Sequence, residues 1–351
     1  MSNKVLFSFR KETVSTGTTT LPGKAELFDK LRDRDLEPVV SLGAEAAFDD
    51  RGVMTHELVG EDETRNIGHA AIADVGVIVN RLDRSFRREE SIGTKGNVLP
   101  KLPDAWQAAA KPMVNENEMR SLAFRKERFQ REILEPLHLG MPTQLVQSPL
   151  DAIIFAHENP AEEYIIKPNS GSGAKGVMMV KSSELAAVSI DDSNDMIIQP
   201  KYDFSGAMHP SIKPYDALSD EAFAAWSKAE IVKEIRMYAL LSPTKFAMLP
   251  VGRALQDGTD HWFFIDPESV PDKLYDDTEN VIRFAAREVG SRVVSAALDF
   301  GYGSVNGEAP DHHIVEYNGR MPYLIGYDKH AGVADKLRDH YADMVHDTIN
   351  Q

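Results

Sequence analysis

The 351-residue chain carries 55 Asp and Glu against 39 Lys and Arg, a formal net charge of -16, with 42% hydrophobic residues and no cysteine. That length accommodates two or three domains with sizeable cores. The acidic balance argues against a broad nucleic-acid surface, and the absence of cysteine excludes a disulfide framework, a thiol nucleophile and a thiolate metal site.

In chain order, "KVLFSF" predicts a strand, "GKAELFDKLRDRD" a helix, "EPVVSL" a second strand and "DVGVIVNRL" a further buried strand. This alternation points to a parallel sheet covered on both faces. The N-terminal stretch has too short an apolar core for a signal peptide, and no stretch approaches the roughly 18 apolar residues of a membrane span. The expected setting is the cytoplasm, with no membrane partner. Residues 83–112, rich in charge, Gly and Pro, read as a long loop. "RSLAFRKERFQREILEPL" predicts an amphipathic helix, with Leu122, Phe129, Ile133 and Leu134 at helical spacing. "MPTQLV" follows as a short strand and "PLDAIIFAHEN" as a helix. "EYIIKP" and "GVMMVK" are strands around a glycine-rich loop, "SSELAAVSI" is helical, and "DMIIQPKYD" is a strand. "SDEAFAAWSKA" predicts a helix, "EIRMYALL" and "KFAMLPVGRAL" paired strands, and "HWFFIDP" another strand. "DTENVIRFAAREVGSRVVSAALDF" reads as one long helix capped by Asp276 or Asp277, and "GYGSVNG" and "HHIVEYN" as pairing strands.

The glycine loop is the most informative stretch. Gly171, Gly173 and Gly176 make a G-x-G-x-x-G pattern. A dinucleotide site needs a helix directly after such a loop, and here a strand follows. A Walker loop needs Gly-Lys-Ser/Thr at its end, and Lys175 is followed by Gly176 and Val177. A protein kinase carries its lysine strand after the loop, whereas Lys167 precedes it; "DFG" at Asp299 to Gly301 then reads as a chance helix stop. Two readings remain. One is a plain hairpin, for which about two or three turn residues suffice. The other is a loop that closes over a triphosphate, with backbone N–H groups donating to phosphate oxygens and Lys167 and Lys175 supplying positive charge. A lysine inside an apolar strand needs a partner, which favours the second.

Downstream, "IIQPKYD" ends an apolar strand in a polar hinge that suits an adenine edge. Glu234 and Arg236 fall on one strand face, with Arg253 on a neighbouring strand. Glu316 and Asn318 also share a face, an oxygen pair suited to hard divalent cations, and Arg320 follows two residues on. Plainer readings exist for several residues. Arg236 is a surface arginine paired with Glu234, or a ligand for an anion. Glu316 and Asn318 end a strand in an Asx turn, or hold metal. His312 and His313, as neighbours on a strand, face opposite ways and read as solvated. Trp262 and Phe264 read as core, and "STGTTT" at 15–20 as a loop.

The lysine strand, glycine-rich loop, hinge strand, acidic-x-Arg strand and Glu-x-Asn strand, in this order, resemble the ATP-grasp superfamily. "VNENEMRSLAFRKERFQREIL" followed by "GMPTQLV" is similar to that family's lead-in. The resemblance spans roughly residues 111 to 330 and implies an α/β and α+β chain: a Rossmann-like N-terminal domain (1–112), then a two-lobed ATP-grasp fold with a lid and central lobe (113–202) and a C-terminal lobe (203–351). It implies that Lys126, Lys167, Ser172, Gly173, Lys175 and Gly176 bind phosphates, that Gln199, Pro200, Lys201 and Tyr202 hold adenine, and that Asp203 meets the ribose. Glu316 and Asn318 would bind Mg2+, with Mn2+ a substitute. The family's usual metal aspartate has no obvious counterpart. Asn306 or Ser304 occupies the expected place, with Asp299 and Asp311 as alternatives under a shifted alignment.

The implied reaction activates a carboxylate with ATP as an acyl phosphate and joins it to an amine, releasing ADP and phosphate, with Arg236, Arg253 and Arg320 orienting the acceptor. The implied partners are a small-molecule carboxylate and an amine, an amino acid or small peptide among them. Homodimers are common in the family, and the resemblance carries that expectation. A phosphotransferase on the same fold and a non-catalytic ATP-binding module are the competing readings, the latter motivated by the missing aspartate.

Overall fold

Among the described residues three sheets carry the architecture. The computed structural model describes residues 2–9, 24–42, 52–59, 63–80, 109, 111–170, 176–190, 195–204, 209, 211–212, 232–256, 259–263, 265–319 and 331–351. Ser172, Gly173, Lys175 and Arg320, most of the 83–112 segment, "STGTTT", "SDEAFAAWSKA", Phe264 and the side chains of Arg253 and Trp262 lie outside the described residues. The helices are α1 (Lys24–Arg32), α2 (Asn117–Phe124), α3 (Pro149–Glu158), α4 (Asp272–Glu288) and α5 (Ala331–Ile349). Among the described residues no helix is long and apolar enough to cross a membrane.

The first sheet is ordered β4-β3-β2-β1-β5-β6, from β1 (Lys4–Phe9), β2 (Glu37–Leu42), β3 (Gly52–Val59), β4 (Glu63–Ala71), β5 (Val77–Asn80) and β6 (Met113–Val114). Strands β2, β1, β5 and β6 run parallel, as the alternation predicts. The β3–β4 pair is an antiparallel hairpin added at one edge, which the sequence reading did not anticipate. Helix α1 buries Leu27, Phe28 and Leu31 against the sheet. Helix α5, from the far end of the chain, lies beside it. Lys30 and Arg34 reach Asp339, and Arg34 also reaches Asp343. One continuous core joins Phe7 and Val79 of this sheet, Tyr341 and Val345 of α5, and Tyr238 and Val251 of the third sheet.

The second sheet is antiparallel, ordered β7-β10-β8-β9, from β7 (Gln144–Val146), β8 (Glu163–Pro168), β9 (Met178–Lys181) and β10 (Met196–Pro200). Helix α3, started by a Ser148–Asp151 capping box, covers one face and leaves the other to a cleft. "SSELAAVSI" yields a six-residue 3-10 helix, Ser182–Ala187, rather than an α-helix. No side chain caps its start, and a segment this short gains little from α-helical propagation.

The third sheet, also antiparallel, is ordered β13-β12-β11-β14-β15, from β11 (Val232–Leu241), β12 (Phe246–Gln256), β13 (Thr259–Phe263), β14 (Val294–Gly303) and β15 (Asp311–Asn318). The single long helix expected over 277–300 is corrected here. Helix α4 starts at Asp272 after Pro271, so Asp276 and Asp277 sit inside it, and Gly290 (φ +71°) follows its end in the left-handed conformation. "VSAALDFGYG" is β14. It is the second strand in from one edge and buried along nearly its whole length, so it lacks the polar alternation that marks a half-buried strand.

The amphipathic lead-in is also broken. Helix α2 ends before Arg125, which leaves helical geometry (φ -129°, ψ 82°). A short α-turn at Lys126–Arg128, a π-helical stretch at Phe129–Leu134 and a 3-10 turn at Glu135–Leu137 follow.

Candidate active site

Strand β8 alternates strictly. Tyr164, Ile166 and Pro168 are buried on one face, so Glu163, Ile165 and Lys167 turn to the other, toward the cleft between the second and third sheets. Lys167 keeps part of its surface open to the cleft while its ammonium sits deep among protein atoms. Burial pushes the ammonium down to about 8, Lys126 pushes it the same way, and Glu316 and Glu234 pull it back up. Two lysines and two carboxylates, from four separate elements, thus share one electrostatic environment. Lys126 is held at the mouth of a helical turn. Its N–H donates to the carbonyl of Asn169 (3.1 Å), and the next N–H, of Glu127, donates to the Asn169 side chain (2.9 Å). The Lys126 ammonium lies 3.7 Å from Glu316. Asn169, two residues beyond Lys167 and at the start of the glycine loop, therefore ties both lysines together.

The acidic corner forms where β14 meets β15. Asp299 stands directly opposite Glu316 across the ladder, and a bulge between the Asp299 and Phe300 positions sets that register. Asp299 is 1% exposed. It accepts two bonds from Arg236 (both 2.6 Å) and one from the Asn318 amide (3.0 Å). Arg236 reaches it from β11, where it pairs with Asp299 in register. A buried bidentate arginine of this kind fixes the orientation of the carboxylate. Asp299, Glu316 and Asn318 together offer the hard oxygen donors that suit Mg2+. The set contains two carboxylates and an amide; among the described residues no group of three or more His, Cys, Asp or Glu side chains is placed to hold a metal ion.

Two expectations change here. Asn306 does not join this corner. It lies in the exposed turn of the β14–β15 hairpin at φ +52°, and its amide donates to the carbonyl of Pro160 (2.7 Å). The aspartate beside Glu316 is Asp299. Arg236, expected to orient the acceptor, is bonded to Asp299 in this structure.

The hinge runs along the same face. Gln199, the last but one residue of β10, donates to Thr143 (2.7 Å). Pro200 pairs with Tyr164. Lys201 donates its N–H to the Glu163 carbonyl and ion-pairs with the Glu163 side chain (2.5 Å). Asp203 bridges main chain to main chain with Ser304. Tyr202 lies against His313 (ring centroids 4.4 Å) and Phe204 (5.9 Å). Phe204 covers Gly301, where an added Cβ would come within 2.7 Å of its ring. The hinge can lie this flat on the third sheet only because Gly301 and Gly303 present no side chain. Of the remaining predicted residues, Gly176 adopts φ +73° at the end of the loop, and Arg253 pairs along the backbone with Glu234 on one side and Trp262 on the other. Sequence reasoning passed over Asn169 and Phe204. For Asp299 the usable signal was the pairing of "LDFGYG" with the Glu-x-Asn strand, obscured by reading it as helix.

No family model matches the sequence, and no curated protein matches it. Solved structures do. The D-alanyl-alanine synthetase A of Vibrio cholerae O1 biovar eltor aligns over 100% of this chain and 99% of its own at TM-score 0.57 and 10% identity. The ATP-grasp ligase PsnB, complexed with minimal precursor, Mg and ADP, aligns over 99% of each chain at TM-score 0.55 and 15% identity. The D-cycloserine synthetase DcsG aligns over 97% of this chain and 99% of its own at TM-score 0.55 and 12% identity. At these identities the likeness is one of fold: this chain shares its fold with solved ATP-grasp ligases.

Proposed function

We propose that this chain is an ATP-dependent ligase that activates a carboxylate and joins it to an amine, releasing ADP and phosphate. The observation that carries the reading is the convergence of Lys126, Lys167, Glu316 and Asp299 on one cleft between two sheets. Neutralising cations and paired hard-oxygen ligands are what a transferring phosphoryl group needs, and little else is required of the protein. PsnB, of the same fold, was solved with Mg and ADP. In this reading Lys126 and Lys167 hold phosphate oxygens, with Lys175 adding charge from the loop, and Gln199 to Tyr202 hold the base, with Asp203 toward the ribose. Asp299, Glu316 and Asn318 hold the divalent ion, which when bound supplies charge neutralisation at the phosphates. A substrate carboxylate oxygen attacks the γ-phosphorus as its bond to the bridging oxygen breaks and ADP leaves. The amine nitrogen then attacks the acyl carbon, the C–O bond to phosphate breaks, and the nitrogen loses a proton. Arg253 and Arg320 remain the cations for the acceptor carboxylate and the developing oxyanion.

Precursor peptides accompany several proteins of this fold, among them the macrocyclase MdnC with MdnA from Microcystis aeruginosa. A peptide carboxylate therefore stands beside free amino acids as a substrate class. In this reading Asp299 serves as the metal aspartate, and the motive for the non-catalytic alternative weakens with it. The test is to incubate the protein with Mg-ATP and pooled amino acids, peptides and small carboxylic acids, and to identify the nucleotide product. ADP and phosphate formed only when acid and amine are both present support a ligase. A stable phosphorylated product without amine favours a phosphotransferase, and AMP with pyrophosphate refutes the mechanism.

A further inference from the structure

We propose that two buried amides of the lead-in segment, Asn115 and Gln130, are positioning residues that clamp the Glu316–Asn318 segment of strand β15 from both sides. This rests on the reading of Asp299, Glu316 and Asn318 as the magnesium corner. Neither amide belongs to that corner, and both act through the main chain that carries it.

The need for a clamp comes from the bulge. Phe300 pairs with Ile314 and Asp299 with Glu316, so Val315 is an extra residue on β15. That one residue turns Glu316 onto the face of Asp299; a regular ladder would send it to the other side. A bulge also loosens ladder bonding at the point where the metal oxygens must be held most closely. Gln130 supplies what the ladder does not. It is 3% exposed, and its Nε2 donates to the carbonyl of Ile314 (3.2 Å). Its Oε1 accepts from the N–H of Met141 (2.9 Å). An N–H can only donate, so this partner permits one orientation of the amide. Gln130 lies in the π-helical stretch, a distortion that recurs at functional sites. The chain returning over it is close enough that a Cβ at Gly140 would sit 3.2 Å from the Gln130 carbonyl.

The other side of the Glu316–Asn318 segment is held in the same way. Asn115 is 3% exposed and takes the left-handed conformation at φ +56°. Its side chain accepts from the Ser295 N–H (2.8 Å) and donates to the carbonyls of Ser295 (2.7 Å) and Gly319 (3.2 Å). Gly319 directly follows Asn318, and Ser295 lies on β14, the strand of Asp299. Glu316 and Asn318 thus lie between two main-chain carbonyls, of Ile314 and Gly319, each held by a buried amide of the segment that also carries Lys126. Packing alone would be met by apolar side chains of similar shape, without the cost of burying two amides.

The experiment measures ADP binding by calorimetry, with and without Mg2+, beside thermal melts. It compares wild type, Gln130→Met, Gln130→Glu and Asn115→Gly. Gln130→Met keeps the shape without the hydrogen bonds. Gln130→Glu keeps the acceptor for Met141 and replaces the donor to Ile314 with a second carboxylate oxygen, so it reports the lost donor together with a buried charge, and Asn115→Gly carries the test if neither Gln130 variant folds. Asn115→Gly keeps the backbone conformation and loses the amide. The clamp predicts that the Mg2+ concentration for half-maximal enhancement of ADP binding rises about 10-fold or more, while metal-free ADP affinity is unchanged. Folded variants with wild-type Mg2+ dependence overturn it. An equal fall in metal-free and Mg2+-dependent affinity also overturns it, since that marks a purely structural role. If ADP binding to wild type shows no Mg2+ dependence, the magnesium corner itself falls and the clamp with it.

Discussion

Asp299 carries more of the account than any other residue. It is buried, bonded to Arg236 and Asn318, and opposite Glu316. Asp299→Asn is expected to weaken Mg2+-dependent nucleotide binding by at least about 10-fold and to destabilise the fold by about 3 kcal/mol, because the buried bidentate pair with Arg236 loses its negative partner. Asn306→Ala, in an exposed turn, should leave the Mg2+ dependence at wild-type values; a loss there as large as at Asp299 would return Asn306 to the metal site. Lys167 gives a pH test with a definite sign. Its ammonium is charged below about 8 in the free protein and neutral above. Phosphate oxygens favour the charged form, so binding raises its pKa. Nucleotide binding should therefore take up a proton at about half a unit above that value, little at neutral pH, and affinity should fall as pH rises through it. Calorimetry in buffers of different ionisation enthalpy reads the uptake directly, and buffer-independent heats at the higher pH would contradict the assignment. Much of this was legible in the sequence: a lysine within "EYIIKP" and the acid and amide of "VEYN" declare themselves by chemistry and spacing. Asp299 declared itself less, because its meaning depends on a cross-strand register that a bulge sets.

At the scale of elements, the strands that alternate were readable and those that do not were misread. β8 shows its period of two, and β11 and β12 pair as expected. β14, buried on both faces and alanine-bearing, merged with the helix before it, although Gly290 marked the break. The β3–β4 hairpin was invisible because polar residues interrupt its strands. The hinge element makes its own prediction. A Cβ on Gly303 would run into the carbonyl oxygen of Asp203 and the ring of Phe204. Gly303→Ala should therefore push the hinge off the third sheet, costing about 1–3 kcal/mol and weakening nucleotide binding even with every site residue intact. Unchanged melting and affinity would show that the close approach is dispensable.

Across the whole molecule, helix α5 joins the first and third sheets in one core, which composition and local pattern gave no means of seeing. Leu337→Ala on α5 should cost about 2–5 kcal/mol and lower the melting of both regions together, in a single transition; two separated transitions would mean that the regions fold independently. The site lies between the second and third sheets, so its function depends on that assembly. The measurement that tests the central claim most directly is a calorimetric titration of a non-hydrolysable ATP analogue with Mg2+ into wild type and Lys167→Met. The account predicts one saturable site in wild type and its loss in the variant with the fold intact. Absence of binding to folded wild type, or equal binding to both proteins, would contradict it.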